Sequence, residues 1–336
     1  MKNLKKLSFI LSILSFLTFF SPAKAETKVV ASIKPIHSLA SYLMDGVAKP
    51  SLIVDGYASP HGFAMKPSHA KMLQDADIVF WVGEDLENFL EKPLDSIAAK
   101  AEKIELLEVK GLVKLKFRER NIFDDHDDHD DHGHKKKDDH DDHDHDDHAK
   151  KEDGHDDHDD HDGHEGHHHG EFDPHIWLDP INAKVILFEM SKHLIENDPT
   201  NETTYRANLS KAYKEIDKLT NDVTTELNES TASIVFHDAY QYFEKRFSVN
   251  ILGAFTVNTD VLPGAEQLSE IREVIEHEKV ACVFSEPQFN PDIIQAVAKD
   301  MNIKTGIVDP LGATLTPGKD LYFDLIKNMS KSFKGC

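Results

Sequence analysis

The sequence predicts an α/β protein of two lobes, each a parallel sheet flanked by helices, joined by a long rigid backbone helix. Three observations carry this expectation. Short, apolar, β-branched runs fall into two sets of four, and helix-like stretches separate consecutive runs, the pattern of parallel strands with helical crossovers. A single long amphipathic stretch lies between the two sets. The chain has 336 residues, and a mature length running from residue 26 suits two domains.

The chain opens with a basic segment (Lys2, Lys5, Lys6), an apolar run over 7–20 and the small-residue pattern Ala23-Lys24-Ala25. That run is shorter than the roughly 20 residues a spanning helix needs. Residues 1–25 therefore read as a signal peptide cleaved after Ala25, and the mature protein as soluble and exported. No Cys follows the cleavage site, which disfavours a lipid anchor.

The first lobe is expected over 26–198, with strands at 28–33, 51–54, 78–82 and 104–107 and helices at 37–44, 67–74 and 86–101. The linking helix is expected over 199–228, where Tyr205, Leu209, Tyr213, Ile216, Leu219, Val223 and Leu227 recur at steps of three and four. At about 25 residues it would be about 38 Å long, a rigid joint that implies little relative movement of the lobes. The second lobe follows over 229–336, with strands at 233–236, 249–252, 280–284 and 303–308 and helices at 264–278 and 292–300.

Charge is concentrated. The whole chain carries −23, and the tract from Asp124 to His169 accounts for −16 of it, with 15 of the 22 His. Such acidity argues against nucleic acid or an anionic membrane as partner and points to a cation. The tract repeats Asp-Asp-His with almost no apolar residue, so it is expected to be a disordered insert in the first lobe unless a ligand orders it. Closely spaced imidazoles and carboxylates offer overlapping sites for zinc, copper or nickel. His164-Glu-Gly-His-His168 matches the metalloprotease pattern H-E-x-x-H, but that chemistry needs a helix, which Gly163, Gly166 and Gly170 oppose.

Two cysteines remain, Cys282 and Cys336. In an oxidising compartment one disulfide is the simplest reading. A pair of metal ligands is the weaker alternative, because Cys282 lies in an apolar run that reads as a buried strand.

Seven His lie outside the tract. His69, His193 and His277 are on helix-like stretches and read as ordinary surface or satisfied residues. His61, His175 and His237 sit at strand ends or in loops, the places where α/β domains bind ligands. Asp309, directly after a strand run, is either a fourth metal-site residue or the opener of an Asp-Pro turn. Three imidazoles with a carboxylate or water would make a tetrahedral zinc site.

Five segments, in order, resemble the metal-specific solute-binding proteins of ABC importers, and among them the zinc-uptake members. These are Ser59-Pro-His61 with Lys66-Pro-Ser68, Asp173-Pro-His-Ile-Trp-Leu-Asp-Pro180, Val235-Phe-His-Asp-Ala-Tyr240, Phe284-Ser-Glu-Pro-Gln-Phe289 and Val308-Asp-Pro-Leu-Gly312. The resemblance implies a metal held between the lobes, with His61 and His175 from the first and His237 and Asp309 from the second. Manganese-type members carry Glu at the place of His237, and imidazole there favours Zn²⁺. Pro60 stands where some zinc members have an acidic residue, which leaves the fourth ligand open between Asp309 and water. The resemblance also implies a monomeric periplasmic protein that performs no reaction and passes zinc to a membrane permease with its cytoplasmic ATPase. A zinc-binding adhesin, a zinc buffer and a metal-dependent hydrolase are the alternatives.

Overall fold

The computed structural model of the protein describes residues 26–123, 170–228, 231–259 and 261–336. The expected signal peptide and the His/Asp-rich tract lie outside these residues. Among the described residues no helix is long and apolar enough to cross a membrane.

The first sheet comprises β1 (Val29–Ile33), β2 (Ser51–Val54), β3 (Ile78–Trp81) and β4 (Glu102–Glu105), all parallel in the order β2-β1-β3-β4. The second repeats that arrangement with β5 (Ser233–His237), β6 (Ile251–Thr256), β7 (Cys282–Ser285) and β8 (Lys304–Ile307), in the order β6-β5-β7-β8. Central strands β1, β3 and β5 are buried along their whole length, as helices on both faces of a parallel sheet require. Alternation along β5 shows the two faces. Val235 joins a core cluster that also contains residues of the first lobe, whereas Ile234 and Phe236 point into a separate cluster on the other face.

Helices α1 (Lys34–Leu43), α2 (Pro67–Asp75), α3 (Glu84–Glu87) and α4 (Glu91–Ser96) belong to the first lobe. The single helix expected over 86–101 is instead α3, a 3₁₀ turn at Asn88–Leu90 and α4. Pro93 has no N–H to give to a preceding turn, so the helix restarts near it. A helix not singled out from the sequence, α5 (Pro180–Asn197), follows the segment of His175; Asp179 caps it by accepting from the Ile181 N–H at 2.8 Å. The long helix α6 (Glu202–Glu226) appears where periodicity placed it, burying Tyr205, Ile216, Leu219 and Val223. In the second lobe, α7 (Gln241–Phe247), α8 (Ala265–His277), α9 (Asp292–Met301) and α10 (Leu321–Lys334) complete the set, and α10 packs against both α6 and α1.

The lobes are joined by more than α6. The first-lobe chain reaches across at residues 118–123 and lies antiparallel on the free edge of β6. There the Asn121 amide donates to the carbonyls of Ala254 (3.1 Å) and Phe255 (2.7 Å), and the Phe123 N–H to that of Leu252 (2.9 Å). The buried Lys34 ammonium donates to the carbonyls of Gly312, Ala313 and Leu315 at 2.8–3.1 Å. Cys282 and Cys336 are joined in a disulfide with Cα atoms 5.8 Å apart, fastening the chain end after α10 to β7.

Candidate metal centre

His61 follows β2 in a loop where its N–H meets the Ser59 hydroxyl oxygen at 3.3 Å. His175 ends the turn Asp173-Pro174-His175, held by the Asp173 carboxylate, which accepts from its backbone N–H (2.9 Å) and pairs with its Nδ1 (2.7 Å). His237 is the last residue of β5. Its Nδ1 pairs with Glu286 at 2.6 Å, directly after β7 and at the point where the strand order reverses.

These three side chains come together. Their ring centroids form a nearly equilateral triangle of 5.5, 5.7 and 5.4 Å, and one nitrogen of each lies within 4.8 Å of the others. In a tetrahedral zinc site, nitrogens at 2.0–2.1 Å from the metal stand roughly 3.4 Å apart, so a small inward movement of the rings would complete the set. With the Nδ1 atoms of His175 and His237 engaged by carboxylates, their Nε2 atoms are the ones available to a metal. Among the described residues, the buried His237 Nε2 has no hydrogen-bond partner. A small cavity of about 10 Å³ lies among the three rings, walled by Pro60, Trp177, Phe289 and Pro310. That is room for about one atom-sized occupant. A larger cleft of about 530 Å³ leads to His61, His175 and His237 past Glu84, Asp85 and Phe172.

Burial holds the His175 imidazole well below its usual pKa, with the charge of His237 adding to the effect. Burial also pushes His237 down, but Glu286, Asp238 and Asp173 outweigh it, and the net shift is upward. Burial raises the carboxyls of both Asp173 and Asp238 above the usual range, and Arg118 opposes this, reaching Asp238 at 3.2 Å and Glu244 at 2.8 Å. His175 is thus harder to protonate, and His237 easier, than a free imidazole, and a metal at these nitrogens would compete with the proton.

Asp309 stands outside this group. Its Oδ1 accepts from Gln288 Nε2 (2.8 Å) and from the N–H groups of Leu311 (3.1 Å) and Gly312 (2.9 Å), and its Oδ2 from that of Ala313 (2.6 Å). In this metal-free structure its carboxylate serves the turn that follows β8. Of the remaining His, His69 accepts the Lys66 N–H at the start of α2 and His37 pairs with the Pro50 carbonyl. Sequence reasoning missed the carboxylates that orient the ligands. Glu286 could have been suspected, because it directly follows a strand of the same parallel sheet as His237.

Residues 29–336 match the family described as ZnuA, zinc-uptake complex component A, periplasmic. The chain belongs to this family. It is 46% identical over 339 residues to the high-affinity zinc uptake system protein ZnuA of Brucella abortus (strain 2308), covering all of this chain and 99% of the relative. The ZnuA of Yersinia pestis is 35% identical over 314 residues, covering 93% and 92% of the two chains. Among solved structures, a ZnuA crystal structure superposes with a TM-score of 0.68 at 20% identity, over 91% of this chain and 98% of that one. The laminin-binding protein of Streptococcus agalactiae, described as a bifunctional protein with adhesin and metal transporting activity, gives 0.67 at 20% identity, over 91% and 99%. These last two likenesses establish the two-lobed ZnuA-type fold. The ZnuA family is one of periplasmic solute-binding proteins for zinc uptake.

Proposed function

We propose that this chain captures Zn²⁺ in the cleft between its lobes through His61, His175 and His237 and hands it to the membrane permease of an ABC importer, with no chemical conversion. The observation that supports this reading best is the convergence of three imidazoles from three separate segments on one atom-sized space, two of them oriented by carboxylates. Three neutral nitrogens suit zinc better than the harder cations manganese or calcium. Because the Asp309 carboxylate is taken up by four donors, water is the proposed fourth ligand.

A periplasmic monomer is released by removal of 1–25, with lobes at 26–198 and 229–336 and the linking helix at 199–228. The insert at 124–169 is a secondary zinc-capture or sensing element. Capture is a competition between zinc and the proton of His237, and Asp173 and Glu286 hold the rings so that little reorganisation accompanies binding.

The test is zinc competition against a tight chelator, which reads only the strongest event in the full chain. Replacing His61, His175 or His237 by Ala should each lower zinc affinity by at least 100-fold, a loss of roughly 3 kcal/mol. Asp309→Ala should change it far less. Undiminished tight binding in the three His variants would sink the assignment. Restoration of growth of a deletion strain under chelation by the wild type, but not by the His variants, would separate carrier from adhesin.

A further inference from the structure

A second group of metal-ligating side chains lies at the other end of the first lobe. β4 begins with Glu102, and α5 finishes beside it with Glu189, His193, Glu196 and Asn197. His193 is 13 residues into α5 from Pro180, about 20 Å along the helix axis from the end near His175. Proximity to the cleft therefore does not explain the group. We propose that Glu102, His193 and Glu196 form a second, weaker site for a divalent transition metal, with zinc as the fitting cation.

Ligand atoms of these three residues all lie within 4.8 Å of one another. Zinc with nitrogen and oxygen ligands at about 2.0–2.2 Å separates them by roughly 3.4 Å, so side-chain adjustment of about an ångström closes the set. The group is more than an acidic patch, because a half-buried imidazole stands at its centre. His193 Nδ1 faces Glu102 Oε1 at 2.7 Å and its Nε2 faces Glu189 Oε1 at 3.1 Å. The other Glu102 oxygen is held by the Asn197 amide at 2.8 Å, which aims Oε1 at the ring. The last carbonyls of α5, an 18-residue helix, add negative potential at the same place. Lys192 bonds Glu189 at 2.8 Å and its charge also reaches Glu196 and Glu102, so a bound cation shares these carboxylates with one ammonium, which weakens its binding.

One nitrogen with two oxygens is a softer set than calcium or magnesium prefers and a harder one than the cleft. Partial exposure and the loss of the His193–Glu102 hydrogen bond make binding weaker than in the cleft. A bound ion would bridge the edge strand β4 to the end of α5, so this site adds a metal fastening to the pole of the first lobe remote from the cleft.

Crystals of the full chain soaked in millimolar zinc, with anomalous differences measured at the zinc edge, test the proposal. A second peak is expected in bonding contact with His193 and a Glu102 or Glu196 oxygen, at lower occupancy than a cleft peak. In E196Q, which keeps side-chain shape and leaves the His193–Glu102 and His193–Glu189 contacts in place, its occupancy should fall at least fivefold. No peak at His193, or a second peak of undiminished occupancy in E196Q, overturns the assignment. The two peaks are read independently, so an empty cleft would count against the function proposed above and not against this site.

Discussion

In the proposed site, His237 is the residue on which proton and metal would compete. In the metal-free protein its pKa is raised, chiefly by Glu286 working against burial, so the proton is held to a higher pH than in an ordinary imidazole. Zinc at the proposed site would displace that proton, so apparent affinity should fall as pH drops through the range where His237 becomes protonated. Each unit of pH below that range should cost up to tenfold in affinity for the one proton released. Glu286→Gln removes the main raising influence, so the decline should begin at lower pH, although orientation of the ring weakens at the same time. Chelator competition between pH 8 and pH 5.5 measures both, and an affinity flat across that interval in the wild type would contradict the account.

At the scale of elements, Glu87 ties α3 to the end of β3. Its Oε2 accepts the N–H groups of Val82 at 2.9 Å and Gly83 at 3.0 Å, and full burial raises its pKa from 4.5 to about 7. The folded state thus binds this proton more tightly than the unfolded chain. The stability this contributes is fully present below about pH 4.5 and is lost as pH rises through about 7. Glu87→Gln keeps an acceptor for the two N–H groups and removes the ionisation. Relative to wild type, the variant should gain on the order of 3 kcal/mol in urea unfolding between pH 4 and pH 8. A constant difference would mean that Glu87 does not titrate in this way. The disulfide joins the first residue of β7 to a Cys 54 positions later and holds the end of the chain that carries α10. Its removal by Cys282→Ala with Cys336→Ala should cost about 4 kcal/mol by chain entropy, less where the cavity at the buried Cys282 relaxes. Denaturation of the paired variant against the oxidised wild type measures this.

For the whole molecule, the flanks of the tract bear on its role. Phe123 is fixed to β6 in the second sheet, whereas a Cβ at Gly170 would meet the Asp85 side chain in the first lobe. The two described residues that bound the tract therefore rest on different lobes. Both flanks are anchored by contacts among the described residues, so replacing 124–169 by a short flexible linker long enough to span the gap should leave the melting temperature within about 2 °C of wild type. It should remove the multiple weak zinc-binding events and keep a single tight one. Calorimetric titration checks this, and unfolding or loss of the tight event would show that the tract belongs to the cleft site.

Much of this protein was readable from the chain alone. Two sets of β-branched runs, the stripe from Tyr205 to Leu227 and the strand-end positions of His61 and His237 depend on local periodicity and placement, which are properties of neighbouring residues. The disulfide was readable because only two Cys occur. Tertiary structure decided what depends on approach between distant segments. The turn around Asp309 folds back and fills its carboxylate with donors, and Glu286 reaches His237 only because β5 and β7 pair in parallel. His193 read as an ordinary helix-face residue until β4 set Glu102 against it. The crossing at residues 118–123 was invisible for the same reason: a backbone that completes a sheet edge uses its N–H and C=O groups, which every sequence has, and leaves little trace in the side chains.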